Sequence, residues 1–195
     1  MNSPKIISIG FAVPENSYTQ EEMFQVLGYP QRFWRVFKES GIEKRHLWMP
    51  PDVAMKASWQ QQQDSYRAGA VEVSLRAIKE CLDGHSAGDI ACVVYGSCTG
   101  FAPGPTVAHY LAEKLGLRPS TYYTNIIGQG CESGFPGLRR AYDFAVATGK
   151  KPWSSTASSA HALTTRIPGI DRILRITMNC SAVMPSSPMP PPAPW

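Results

Sequence analysis

The 195-residue sequence has few of the features that mark secreted, membrane or metal-binding proteins. Its N-terminal apolar run, residues 6–13, is interrupted by Gly10 and followed by Pro14, so it is too short for a signal peptide or a membrane span. The five cysteines are odd in number and lack the spacing of zinc ligands, which argues against a disulfide framework or a zinc site. We therefore expect a cytoplasmic protein with reduced thiols and no metal. The cysteines are Cys81, Cys92, Cys98, Cys131 and Cys180.

Excess charge of one sign is also scarce in most of the chain. The formal net charge is +4, but residues 1–150 carry 15 basic and 14 acidic side chains, and the other +3 lies in residues 151–195. The densest basic cluster alternates with Glu39 and Glu43, which is typical of a solvated helix end and gives little support to nucleic-acid binding. Its basic members are Arg32, Arg35, Lys38, Lys44 and Arg45.

The order of predicted elements indicates the fold class. With 43% hydrophobic residues, a chain of this length can bury a full core as one domain. Strands and helices alternate along it, which predicts an α/β protein with a mostly parallel sheet. The expected strands are Lys5–Val13, Ile90–Tyr95 and Tyr122–Ile127. One helix is expected to begin at Thr19, and four more are expected at about Gln31–Ser40, Ser65–Leu82, Val107–Leu115 and Phe135–Val146.

One cysteine falls where the last predicted strand turns into the last predicted helix. Small residues flank Cys131 in the segment Gly128–Gly134, and the helix N-terminus that follows favours a thiolate. A nucleophile that carries an acyl group is one interpretation. A buried structural thiol is the ordinary one. A dinucleotide-binding turn is a third, although its last glycine comes one residue late and Glu132 would lie beside the phosphates.

Four stretches together carry a resemblance to a known family. They are residues 40–45 (SGIEKR), 98–104 (CTGFAPG), 115–119 (LGLRP) and 128–131 (GQGC) with Leu138 and Arg139. The segment Ile90–Lys151 resembles the N-terminal half of thiolase-superfamily condensing enzymes, most closely the chalcone-synthase-like (type III polyketide synthase) branch. The sister group, 3-oxoacyl-acyl-carrier-protein synthase III, shares the fold and the cysteine. The resemblance implies a thiolase-like fold of duplicated αβαβα architecture, of which this chain is one half.

The resemblance also implies roles for individual residues. Cys131 matches the nucleophile that accepts an acyl group from coenzyme A or a carrier protein. Arg32 and Arg35 match positions that hold coenzyme A phosphates, and Glu39 stands where a third basic residue is usual. Cys98 and Thr99 match the loop that lines the acyl cavity. No metal or cofactor is implied, because the thioesters are substrates.

The implied reaction is a decarboxylative Claisen condensation between an acyl and a malonyl thioester, carried out by a homodimer. The family uses a histidine and an asparagine from its second half to stabilise the enolate and the oxyanion. His161 and Asn179 occur in this sequence but not in matching motifs, so we expect this chain to be impaired. A non-catalytic fragment or partner of a full-length homologue, or a translated pseudogene, are the alternatives. Membrane partners are not expected.

The sequence changes character at Lys151. Eight of the 17 prolines fall in residues 151–195, charges are scarce there, and the end is rich in proline and serine. We therefore expect a domain over residues 1–150 followed by an irregular or disordered tail, with the strand that the fold needs after Lys151 missing. A frameshift near the Lys151 codon is our hypothesis for both features, because a one-base shift of the back-translated sequence gives Ala-Leu-Val-Val.

Overall fold

A computed structural model describes residues 4, 6–82, 86–97, 104–149, 152–156, 165–166 and 173–179. Six helices and eight strands occur in these ranges, together with three short 3₁₀ turns. The strands are β1 (Ile6–Ala12), β2 (Asn16–Thr19), β3 (Lys44–Leu47), β4 (Cys92–Ser97), β5 (Tyr122–Ile127), β6 (Pro152–Thr156), β7 (Thr165–Arg166) and β8 (Ile173–Asn179). The helices are α1 (Gln20–Leu27), α2 (Trp34–Lys38), α3 (Pro51–Ala54), α4 (Trp59–Leu82), α5 (Val107–Leu115) and α6 (Gly134–Thr148).

The main sheet is mostly parallel, as the alternation of elements predicts. Its strands lie in the order β1, β8, β6, β4, β5, and each neighbouring pair in this order runs parallel. The short strand β7 is the exception, because it pairs antiparallel with β8. Strands β2 and β3 form a separate antiparallel ribbon. The predicted α/β class with a mostly parallel sheet is therefore confirmed.

The prediction that no strand follows Lys151 is wrong. Strand β6 starts at Pro152 and pairs with β4, and β8 fills the place between β6 and β1. Residues 167–176 were expected to form at most a short local turn or helix, but residues 173–176 are the start of β8. Both segments contain β-branched or aromatic residues that suit a pleated sheet, and they satisfy backbone groups on β4 and β1 that would otherwise lie unpaired. The frameshift hypothesis concerns the gene and stays a prediction.

Each face of the sheet has its own apolar cluster. Helices α4 and α5 pack on one face, where Val93 and Tyr95 of β4 meet Ile78 and Leu111. Helix α6 packs on the other face, where Cys92 and Val94 meet Ala141. Every residue of β4 is buried, because this strand is covered on both faces and paired on both edges. No helix within the described ranges is long and apolar enough to cross a membrane.

Helix α4 crosses β1 at unusually short range. A Cβ atom on Gly10 would lie 2.0 Å from the backbone oxygen of Ala77 and 2.8 Å from Cβ of Cys81. The hydroxyl of Ser8 on the same strand donates to the backbone oxygen of Cys81 at 2.6 Å. Side chains alternate between the two faces of a strand, so Ser8 and Gly10 both face α4. Glycine at residue 10 is therefore required by packing.

The N-terminal helices form around a small aromatic cluster. Thr19, where the first helix was expected to begin, caps α1 in a capping box with Glu22. The buried ring of Phe24 packs edge-on against the rings of Trp34 and Phe37 of α2, with 5.2 Å between ring centroids in both pairs. Helix α2 ends at Lys38, two residues before the expected Ser40, and Gly41 follows with φ 71°. The cluster fixes the backbone of α2, which carries the basic residues.

Burial of Cys92 gives this fold a specific sensitivity to alkaline pH. Desolvation raises the pKa of the Cys92 thiol from 9.0 to about 12. The unfolded chain therefore binds fewer protons between those values, and the free energy of unfolding falls as the pH rises through them. This group should contribute a loss of about 1.4 kcal/mol per pH unit.

The measurement is urea unfolding across that alkaline range, with Cys92→Ala as the comparison. The variant starts from a lower stability but should lose it less steeply, since it lacks the ionising thiol. Equal slopes for the two proteins would contradict the assignment.

Candidate functional site

Cys131 lies in a tight connection at the carboxyl end of β5. Gly128 follows the strand with φ 81°, a left-handed conformation that glycine adopts without strain. A 3₁₀ turn, Gly130–Ser133, comes next, with the N–H of Glu132 bonded to the oxygen of Gln129 at 3.3 Å. Helix α6 begins directly after it, at Gly134. The predicted strand-to-helix elbow is thus present, with Cys131 in a 3₁₀ turn three residues before the helix.

The turn that contains Cys131 lies at the edge of the sheet where β4 and β5 end. Strands β4 and β5 are parallel, with Ser97 opposite Ile127, so both strands end at the same edge of the sheet. The 3₁₀ turn that contains Cys131 packs against β4. The carboxyl end of β4 and the turn that contains Cys131 therefore lie at one edge of the sheet. The predicted cavity residues Cys98 and Thr99 follow β4 directly but lie outside the described residues.

A buried hydroxyl without a partner lies two residues after Cys131. Ser133 has no exposed surface, and its Oγ makes no hydrogen bond within the described structure. Burying an unpaired hydroxyl costs on the order of 1–3 kcal/mol. The burial of Ser133 was not predicted, because a serine among small residues in a turn carries no signal that it will be buried.

Three further hydroxyls are buried at the end of β4. The Tyr66 hydroxyl lies 2.7 Å from the Ser97 Oγ and 3.3 Å from the Tyr95 hydroxyl. Tyr66 belongs to α4, so this contact joins the helix to the last residue of the strand that leads into Cys98. The network gives the base of that loop a fixed anchor. Sequence reasoning missed it because its members are about thirty residues apart.

The two arginines predicted to hold phosphates lie on adjacent turns of residues 31–39, here called the α2 segment, and both are exposed. Arg32 belongs to the 3₁₀ turn Gln31–Phe33 and has its guanidinium carbon 5.1 Å from the centre of the Phe33 ring. Arg35 donates through Nε to both carboxylate oxygens of Glu39, at 2.8 and 3.0 Å. The α2 segment packs against α1. Glu39 thus interacts directly with one of the proposed phosphate ligands.

The remaining thiols described have structural surroundings. Cys81 and Cys92 are buried thiols that form no disulfide, and the raised pKa of Cys92 makes it a poor nucleophile near neutral pH. Among the residues that the structure describes, no three histidine, cysteine or acidic side chains come together to form a metal site.

Comparison with known proteins identifies relatives of this arrangement. A model of the N-terminal domain of chalcone and stilbene synthases matches residues 2–177. Over 151 residues the chain is 30% identical to 3,5-dihydroxyphenylacetyl-CoA synthase of Streptomyces toyocaensis, covering 74% of this chain and 38% of that protein. Over 148 residues it is 31% identical to 1,3,6,8-tetrahydroxynaphthalene synthase of Streptomyces griseus, covering 70% and 39%.

Solved structures confirm the predicted thiolase-like fold of this chain. A fungal type III polyketide synthase superposes with a TM-score of 0.67 at 21% identity, covering 77% of this chain and 44% of that one. The chain thus spans about two fifths of the length of the curated relatives it matches.

Proposed function

The chain belongs to the chalcone and stilbene synthase family, and we propose that it accepts acyl groups on Cys131 as a type III polyketide synthase does. The observation that carries the proposal is the backbone path from β5 through Gly128 and the 3₁₀ turn into α6. This path sets Cys131 just ahead of a fifteen-residue helix, whose N-terminus favours negative charge. The family assignment leaves the dinucleotide-binding interpretation without support.

The proposed step is a transfer between thioesters. The Cys131 thiolate attacks the carbonyl carbon of an acyl thioester, the bond from that carbon to the donor sulfur breaks, and the donor leaves as a thiol carrying the proton that Cys131 gave up. The products are acyl-Cys131 and free donor thiol. Thiolate and thioester supply all the chemistry, so we propose no resident metal or cofactor.

Binding of the donor is assigned to two regions. We propose that Arg32 and Arg35 attract the phosphates of an acyl donor, coenzyme A or a carrier protein's pantetheine arm, because both guanidinium groups are exposed on one segment. We propose that Cys98 and Thr99, beyond the end of β4, line the space for the acyl chain. A malonyl thioester would be the second substrate of a complete condensation.

One observation favours a second function as a non-catalytic partner. Helix α6 packs on the sheet with one side and presents large apolar residues on the other, with Phe135 79% exposed and Val146 42% exposed. An apolar helix face of this kind is typical of an interface. It suits a homodimer, or docking on a full-length homologue.

Alkylation of the intact chain tests the nucleophile. Iodoacetamide near neutral pH should modify Cys131 at least tenfold faster than Cys92, because a helix N-terminus lowers a thiol pKa and burial raises it. Peptide mapping by mass spectrometry over a time course gives both rates in one sample. A short N-acetylcysteamine thioester should acylate Cys131 in the native chain and leave Cys131→Ser unmodified. Labelling of Cys131 at or below the rate of Cys92 would refute the assignment.

A further inference from the structure

A carboxylate lies inside the basic surface of the α2 segment. Glu39 accepts both of its contacts from Nε of Arg35, at 2.8 and 3.0 Å, and the two side chains are 60% and 82% exposed. They are four residues apart, a spacing that places them on one face of a helix. Any anion that binds Arg35 must therefore approach Glu39 as well.

The backbone beneath this pair is held in place. Helix α2 has only five residues, but two of them, Trp34 and Phe37, pack against the buried ring of Phe24. The Cα positions of Arg35 and Glu39 are therefore fixed relative to each other. The N–H of Glu39 also donates to the backbone oxygen of Arg35 at 2.9 Å, which keeps the two residues one helical turn apart.

We propose that Glu39 is a specificity-determining residue for the acyl donor. Its charge offsets that of Arg35 and lowers the selectivity of this surface for heavily phosphorylated carriers such as coenzyme A. The chain then accepts thioesters of the pantetheine arm with few phosphates nearly as well as coenzyme A thioesters. This inference rests on the proposed function, since it requires that Arg32 and Arg35 face the donor.

Coulomb's law gives the expected size of the effect. A phosphate that contacts Arg35 comes within about 6–7 Å of the Glu39 carboxylate, where one like charge in water weakens binding about threefold. A phosphate carries between one and two charges, and Glu39→Lys changes the local charge by two. Compounding these charges gives more than about tenfold, and screening by salt reduces it. We therefore expect about a tenfold gain in coenzyme A affinity at low salt.

Calorimetric titration of the intact chain with coenzyme A and with pantetheine tests the proposal. Glu39→Lys should bind coenzyme A about tenfold more tightly than the native chain, and Glu39→Gln about threefold, with pantetheine affinity unchanged in both. The gain should largely vanish in 1 M salt, where the Debye length is about 3 Å. A purely structural effect of the substitution would change pantetheine affinity and would not depend on salt.

Glu43→Lys is the matched control, since it changes the same charge in the same exposed segment four residues along the chain. It should raise coenzyme A affinity less than threefold. An equal gain in Glu43→Lys, an unchanged affinity in Glu39→Lys, or no binding of coenzyme A to Glu39→Lys at millimolar concentration would each overturn the proposal. Iodoacetamide labelling of Cys131 uses no phosphate, so failure of this inference and failure of the nucleophile assignment are separate results.

Discussion

The purified 195-residue chain will release no carbon dioxide from malonyl-CoA above the uncatalysed rate, even after Cys131 has been acylated. Decarboxylation requires groups that stabilise the enolate oxygen, and loss of a single such donor lowers a rate about 10²- to 10³-fold. The family resemblance assigns these groups to a histidine and an asparagine of the second half. Loss of both should therefore reduce turnover by several powers of ten.

The sheet order argues against replacement by Asn179. This residue ends β8, three strands away from β5, after which Cys131 lies. At about 4.8 Å per strand, the two strand ends are about 14 Å apart. His161 lies outside the described residues.

Radiolabelled malonyl-CoA, with carbon dioxide trapped and products separated, measures the turnover. A full-length relative assayed in parallel is the positive control. A chain-extended product from this protein, lost in Cys131→Ser, would contradict the prediction and would return His161 and Asn179 to consideration as catalytic residues.

Gly10→Ala should destabilise the fold by about 3 kcal/mol or more, the upper part of the range for overpacked sites. The added methyl carbon would lie 2.0 Å from the oxygen of Ala77, which is backbone in the middle of α4 and cannot rotate away. Relief requires α4 to move off β1. That movement would expose Cys81 and would break the hydrogen bond that Ser8 donates to the Cys81 oxygen.

Urea unfolding followed by circular dichroism measures the loss, and Gly88→Ala is the control. Gly88 lies in a 3₁₀ turn, and a Cβ there would meet only Ser86 Oγ, at 3.3 Å. Its replacement should change the free energy of unfolding by less than about 1 kcal/mol. A Gly10→Ala protein as stable as the Gly88→Ala protein would show that α4 and β1 are not packed this closely.

Elements with local signals were predictable from the sequence. Strand β5 was predicted to the residue, because Gly128 marks its end, and Gly116 marks the end of α5 in the same way. The predicted strand at Ile90 instead begins at Cys92, because a 3₁₀ turn holds the Ile90 N–H on the oxygen of Ala87. Such a competing turn is hard to read from an apolar run.

Two errors at the N-terminal side have clear causes. Helix α4 begins at Trp59, six residues before the predicted start, because the first turns are rich in glutamine and lack apolar periodicity. Ser58 and Gln61 form reciprocal side-chain to backbone hydrogen bonds there, a capping box that the sequence does contain. The ribbon of β2 and β3 and the short helix α3 depend on contacts that no local pattern encodes.

Features of the candidate site that depend on neighbouring residues could be predicted from the sequence, and features that depend on the tertiary fold could not. Consecutive small residues around Cys131 indicate a turn. The contact of Arg35 with Glu39 follows from their spacing of four residues. The network of Tyr66 with Ser97 joins residues that only the tertiary fold brings together. The strands after Lys151 were missed because proline content outweighed their β-branched residues in the prediction.

The β2 and β3 ribbon is not paired with the main sheet, so we expect the two regions to open at different free energies. Amides of β4 are bonded within a fully buried strand, so their hydrogens exchange only when most of the fold unfolds. A two-stranded ribbon is marginal by itself and opens at lower free energy. The α2 segment leads into β3, so its basic surface of Arg32 and Arg35 lies in the region that opens more easily. The Cys131 turn packs on β4 and therefore lies beside the more stable region. A ligand held by the basic surface would therefore slow exchange in the ribbon and leave β4 unchanged.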